Sequence, residues 1–219
     1  MSRLRKFNDF NFGDNNNQLF EKKIVGFNNP KEGNFVFISG QPGAGKSFTA
    51  SNLLNLKDYK YVNVDTFREL IAKKLNLDLG DPDDNMKILD MTYTTSDPRN
   101  KTIQHLKTFL KIPRKGPLTN IVFDCGGGQT EVMKVVHSLA KEAGYETTLV
   151  NVETTLDVAL KRNRERERTL KDEMVVDYYY KVKRSLEEIS HLFDNIWKVD
   201  NSEKWDFVNR PHDRIKKIK

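Results

Sequence analysis

The sequence predicts an α/β fold in three layers: a mostly parallel five-stranded sheet with helices on both faces. Three observations predict it. Short apolar runs of strand length alternate with segments of helical periodicity from residue 34 to residue 201. The first run ends in a glycine-rich turn that opens directly into a helical segment, "FISGQPGAGKS" at 37–47. The chain has 219 residues, 37% hydrophobic and 31% charged, which suits one core beneath a charge-rich surface.

Taken in order, the 34–40 run is short, apolar and closed by glycine, so it reads as a buried strand. Residues 47–56 read as a helix, and "YKYVNVD" at 59–65 as a second strand. Over 66–76, Phe67, Leu70, Ile71 and Leu75 recur at helical spacing, with Thr66 and Glu69 forming a capping-box signature. "GDPDD", "SDPRN" and "IPRKGP" mark turns and a loop, and the segments between them predict helices over 84–93 and 98–111. "NIVFD" at 120–124 is a third strand, running into "CGGGQ". Residues 130–143 place Val132, Val135, Val136, Leu139 and Ala143 on one helical face. "ETTLVNVE" is a fourth strand and "NIWKVDN" a fifth. Between them lie a charged helix from 156 to about 168 and a long amphipathic helix over 172–193. Residues 1–33 form an Asn-rich N-terminal extension, 34–202 the main domain and 203–219 a basic C-terminal tail.

The net charge of +6 fits an anionic partner without specifying one. Cys125 is the single cysteine, so no intrachain disulfide forms and a reducing, cytoplasmic setting is expected. The stretch "MSRLRKFNDFNFGDNNNQ" lacks the apolar core of a secretory leader. No apolar run approaches the roughly 18 residues of a membrane span, so no membrane partner is expected.

Gly40, Gly45, Lys46 and Ser47 fit G-x-x-x-x-G-K-[ST] between a strand and a helix, the context of a phosphate-binding loop. Its glycines let backbone N–H groups curl around a phosphate. Lys46 is expected on the β- and γ-phosphates, and Ser47 on Mg²⁺ at the helix N-terminus. The nucleotide contact set is Gly40, Gln41, Gly43, Ala44, Gly45, Lys46, Ser47 and Phe48, and the cofactors expected are ATP and Mg²⁺.

Two further constellations admit a functional and a bland reading each. Asp65 ends the second strand with Arg68 three residues on, which suits a general base beside an anion-holding cation. The pair equally suits a helix cap and a solvated first-turn charge. In "ALKRNRERERTLKDEM", Arg162 and Arg166 share a helical face, with Arg164 and Arg168 on neighbouring turns. A mobile flap of this kind supplies positive charge to a moving phosphoryl group. A solvated helix with Glu165 and Glu167 pairing to the arginines is the alternative.

"GQPGAGKS", "VNVDTFR", "IVFDCGGG" and "LKRNRERER", in this order, resemble the P-loop kinases that include zeta toxins and polynucleotide 5′-hydroxyl kinases. The resemblance covers about residues 34–200 and implies a three-layer P-loop NTPase fold with an arginine-bearing lid at about 162–173. It implies Asp65 as the base, Arg68 as a substrate contact, Arg166 as the lid arginine with Arg162 preceding it, and Asp124 as support for metal or substrate. Two departures stand out. Zeta toxins carry an arginine shortly after the third strand's glycines, where this chain has Gly128 and Gln129. Polynucleotide kinases carry an asparagine two residues past the Asp of that strand, where Gly126 stands here. The expected activity is γ-phosphate transfer to a hydroxyl, a nucleic acid 5′-hydroxyl or nucleotide first. A zeta-toxin-like small-molecule acceptor and a non-kinase NTPase are the alternatives. "IVFDCG" offers one acid and then glycines, where a motor usually wants adjacent acids, which favours the kinase.

Overall fold

The computed structural model describes residues 32–53, 59–79, 101–111, 116–165, 170–203 and 214–219, with residues 81, 83, 84, 87, 88 and 91 between the longer stretches. The elements are β1 (Asn34–Ser39), α1 (Lys46–Leu53), β2 (Tyr59–Asn63), α2 (Val64–Leu75), α3 (Lys101–Lys111), β3 (Asn120–Gly126), α4 (Thr130–Glu142), β4 (Glu146–Glu153), α5 (Leu156–Arg164), α6 (Asp172–Ile189), β5 (Asn195–Asp200) and β6 (Ile215–Lys217), with a 3₁₀ turn at Ser190–Leu192. The helix expected over 84–93 lies largely outside the described residues, as do residues 1–31.

One six-stranded sheet runs in the order β2-β3-β1-β4-β5-β6. The first five strands pair parallel, and β6 pairs antiparallel to β5. The five strands read from the sequence are therefore joined by a sixth. Part of the expected basic tail is an edge strand, whose lysines suit a position that must not recruit another strand.

β1 is buried along its whole length because both sides of the sheet are covered. Phe35 and Phe37 point to one face, where they join Phe123, Met133, Val136 and Phe193. Edge contacts of Phe37 with Phe193 and Phe123, at 5.0 and 5.7 Å, fix the packing there. Val36 and Ile38 point the other way, to Ala44 and Ala50 beside α1. After β1 the chain fills in β2 and β3 on one side and then jumps to β4 on the other. That reversal makes the carboxyl end of β1 the topological switch point, where α/β sheets bind ligands.

The start of α2 differs from the sequence expectation. β2 ends at Asn63, the last residue paired with β3, opposite Asp124. Asn63 is extended, and its side chain accepts from the Asp65 N–H at 2.8 Å. The cap is therefore Asn63, not Thr66, and Asp65 falls inside the first helical turn. Sheet pairing decides this, because the helix begins where the ladder releases the backbone.

At the opposite end of the sheet, Asp194 accepts from the Thr147 N–H at 2.8 Å, from Thr147 Oγ1 at 2.9 Å and from Lys141 Nζ at 2.8 Å. Burial opposes its ionisation, but these donors outweigh burial and hold the carboxyl below its ordinary 3.8. His137, 3.2 Å from Thr147 Oγ1, is held below its ordinary 6.5 chiefly by burial. In both cases the folded chain binds fewer protons than the unfolded one, so stability rises with pH. The His137 contribution is lost as pH falls below about 6.5, and the Asp194 contribution as pH falls below about 3.8. The urea midpoint is expected to drop between pH 7.5 and 5, and His137→Asn to flatten that drop. A midpoint that rises on acidification would contradict the assignment.

Candidate active site

The loop after β1 is held from three directions. Gly40 N donates to Gly126 O at 3.2 Å, tying it to the end of β3. Gln41 Nε2 donates to Thr154 O at 3.0 Å, tying it to the turn after β4. Asn201 Nδ2, just past β5, donates to Ala44 O at 2.7 Å. Gly43 and Gly45 have φ of 81° and 86°. A Cβ at Gly43 would lie 2.5 Å from Ala159 O, and one at Gly45 would lie 2.2 Å from Asn201 Nδ2. No other residue type fits either position. The result is a concave backbone turn opening at the N-terminus of α1, where N–H groups and the helix dipole favour an anion.

Lys46 lies in the first turn of α1 and folds back over this turn, donating to Gly40 O at 2.8 Å and Gln41 O at 3.4 Å. Ser47 is exposed beside it. Phe48 is 47% exposed on α1. Arg162, on α5, reaches the same loop. Its Nη1 donates to Asn201 O at 2.9 Å and Gly43 O at 3.4 Å. Arg166 and Arg168 fall outside the described residues. Arg164 pairs instead with Asp172 at the start of α6.

Asp124 stands between β1 and β2, opposite Ile38 on one side and Asn63 on the other. It is 7% exposed. The phenol of Tyr61 donates to its Oδ2 at 2.6 Å. Asp65 projects from α2 at the same carboxyl edge, two strands from the phosphate loop, or roughly 10 Å at strand spacing. Its side chain is 61% exposed and ion-paired with Arg68 at 3.1 Å. Because Asn63 supplies the cap, the Asp65 carboxylate is not committed to capping its helix. Cys125 points to the other face of the sheet, and burial pushes its thiol up to about 12, which makes it inert.

Residues 35–184 match the AAA domain family. The chain belongs to that family. No curated protein matches the sequence of this AAA domain protein. Its fold is shared with solved structures at 16–18% identity. One is from the PezAT chromosomal toxin–antitoxin system of Streptococcus pneumoniae, with TM-score 0.55, 18% identity, and 84% of this chain and 75% of that one covered. Another is in the Pnkp1/Rnl/Hen1 RNA repair complex, with TM-score 0.51, 16% identity, and 74% and 47% covered. A third is the AvrRxo1-ORF1:-ORF2 complex with ATP, with TM-score 0.57, 17% identity, and 84% and 58% covered. The AAA domain protein thus spans three-quarters of the first chain and about half of the other two. Among its described residues, no helix is long and apolar enough to cross a membrane.

The donor set fits Mg²⁺. Among the described residues no cluster of three or more His, Cys, Asp or Glu side chains forms a protein-only metal cage. The loop instead brings one hydroxyl, Ser47, to the side of the sheet that carries one buried carboxylate, Asp124. A cation that keeps its waters and binds mainly to nucleotide phosphates needs no more than such hard oxygen donors. Sequence reasoning passed over Asn201 and Thr154, whose contacts with the phosphate loop span more than 110 residues, and the Tyr61–Asp124 pair. Tyr61 did carry a signal, because strand period two places it on the same face as Asn63.

Proposed function

We propose that the protein is a kinase that transfers the γ-phosphate of ATP to an acceptor hydroxyl. The observation that carries this reading is Asp65. It is exposed and not committed to a cap, and it lies at the same carboxyl edge of the sheet as the phosphate loop, two strands away. In the proposed reaction Asp65 accepts the proton of the acceptor hydroxyl. The acceptor oxygen bonds to the γ-phosphorus, the bond from that phosphorus to the β–γ bridging oxygen breaks, and ADP leaves. Lys46 transfers its donors from the Gly40 and Gln41 carbonyls to the β- and γ-phosphates. Bound Mg²⁺, held by Ser47 and Asp124, supplies charge neutralisation for the triphosphate. Arg68 holds an anionic group on the acceptor. Arg166, in a lid spanning about 162–173, covers the transferring phosphoryl group with help from Arg162. The unit responsible is 34–202, with 1–33 and 203–219 as extensions of it.

For the acceptor, a nucleic acid 5′-hydroxyl or a nucleotide is the first choice. The net charge of +6 and the Asp65–Arg68 pair support it. A specific observation favours a small molecule instead: Asp78, Asp81, Asp83 and Asp84 follow α2, and such a cluster opposes a long polyanion on that side. γ-Labelled ATP incubated with 5′-hydroxyl oligonucleotides, nucleosides and nucleotide sugars separates these cases. Label on an oligonucleotide is the expected result. Label on a small acceptor would move the assignment to that class, and release of free phosphate alone would make the protein an NTPase.

A further inference from the structure

The phenol of Tyr61 stands against the carboxylate of Asp124. Tyr61 pairs with Val122, and Asp124 lies two residues further along β3 on the same face. Only a long side chain spans such a diagonal of roughly 7–8 Å. The ring is half-buried against the apolar cluster beside α1, while its hydroxyl reaches Asp124 Oδ2 at 2.6 Å. Among the described residues Tyr61 is the hydrogen-bond donor to that carboxylate.

We propose that Tyr61 is a positioning residue: its hydroxyl engages one oxygen of Asp124 and leaves the other for the divalent cation that accompanies ATP at Ser47. A phenylalanine would fill the same apolar space but leave a nearly buried carboxylate without its donor. Loss of an outer partner of a metal-binding carboxylate typically lowers metal affinity by about 10–100-fold. The effect is therefore expected in the cation dependence of nucleotide binding, not in the fold.

This inference rests on the nucleotide site of the proposed function but does not require phosphoryl transfer. ATP binding to the full chain is measured by calorimetry, first with chelator and then across a Mg²⁺ series. Tyr61→Phe is expected to leave the metal-free ATP affinity within about twofold and to raise the Mg²⁺ half-saturation about 10-fold. Asp124→Asn alone should raise it at least as much, and Tyr61→Phe should add less than about twofold in that background, because partners acting through one group are not additive. A Mg²⁺ curve for Tyr61→Phe that overlays the wild type overturns the inference. So does an equal loss of metal-free ATP affinity, or additive effects of the two substitutions. If Tyr61→Phe fails to fold, Asp124→Asn still decides, since an unchanged Mg²⁺ dependence there removes the group through which Tyr61 acts. Wild-type ATP binding without transfer would defeat the kinase reading and leave this one standing. Absence of ATP binding would defeat both.

Discussion

Asp65→Asn is expected to lower phosphoryl transfer about 10²–10⁴-fold, the range general-base catalysis contributes, while ATP still binds. The separation follows from position. The phosphate loop is held by Gly126, Thr154 and Asn201, none of which touches Asp65. The amide replaces the carboxylate without changing its size. Asn63 continues to cap α2, because it accepts from the backbone of residue 65 and not from its side chain. The ion pair joins an exposed carboxylate to the Arg68 guanidinium, whose side chain is 14% exposed, and the isosteric asparagine keeps an oxygen there to accept from it. A fold defect is therefore not expected to imitate a loss of catalysis. Single-turnover transfer from γ-labelled ATP, compared with calorimetric ATP affinity, checks the result. Full transfer by the asparagine variant would show that another group takes the proton.

Lys46→Ala should weaken both binding and transfer. The lysine lies over the loop, donating to the Gly40 and Gln41 carbonyls, and in the proposed reaction those donors pass to phosphate oxygens. Charge-assisted hydrogen bonds of this kind contribute about 1.5–3 kcal/mol each. Losing one such contact lowers ATP affinity about 10–100-fold. Charge that develops on the transferring group depends on the same cation, so the rate falls a further 10²–10³-fold or so. AMP, which lacks the β- and γ-phosphates, is the control. Its affinity should change little, whereas equal losses for AMP and ATP would mean that the alanine collapsed the loop.

The two sites differ in how far the sequence exposes them. The phosphate loop was legible because its chemistry is local: eight consecutive residues shape a backbone turn, and Gly43 and Gly45 are required by contacts with Ala159 and Asn201. Asp65 and Arg68 were legible as a pair because helical spacing brings residues three apart together. Whether Asp65 was a cap was not legible, since that depended on where β3 stops pairing with β2. Arg162 is a different case. Its helix could be read, but its donation to Gly43 and Asn201 carbonyls depends on chain segments 119 and 39 residues away. β6 escaped notice because three residues with two lysines carry almost no apolar pattern, and only the exposed edge of β5 makes them a strand.

By itself, the sequence determined the alternation of strands and helices, the phosphate loop and the spacing of Asp65 and Arg68. Backbone geometry and short periodicities act over a few residues, and a sequence displays those directly. Only the tertiary structure decided that β1 sits at the switch point, that Asn63 caps α2, that Asn201 and Thr154 hold the loop and that Tyr61 holds Asp124. Each of these is a contact made when sheet order and register bring distant segments side by side, and that order is set by burial over the whole core rather than by any local run of residues.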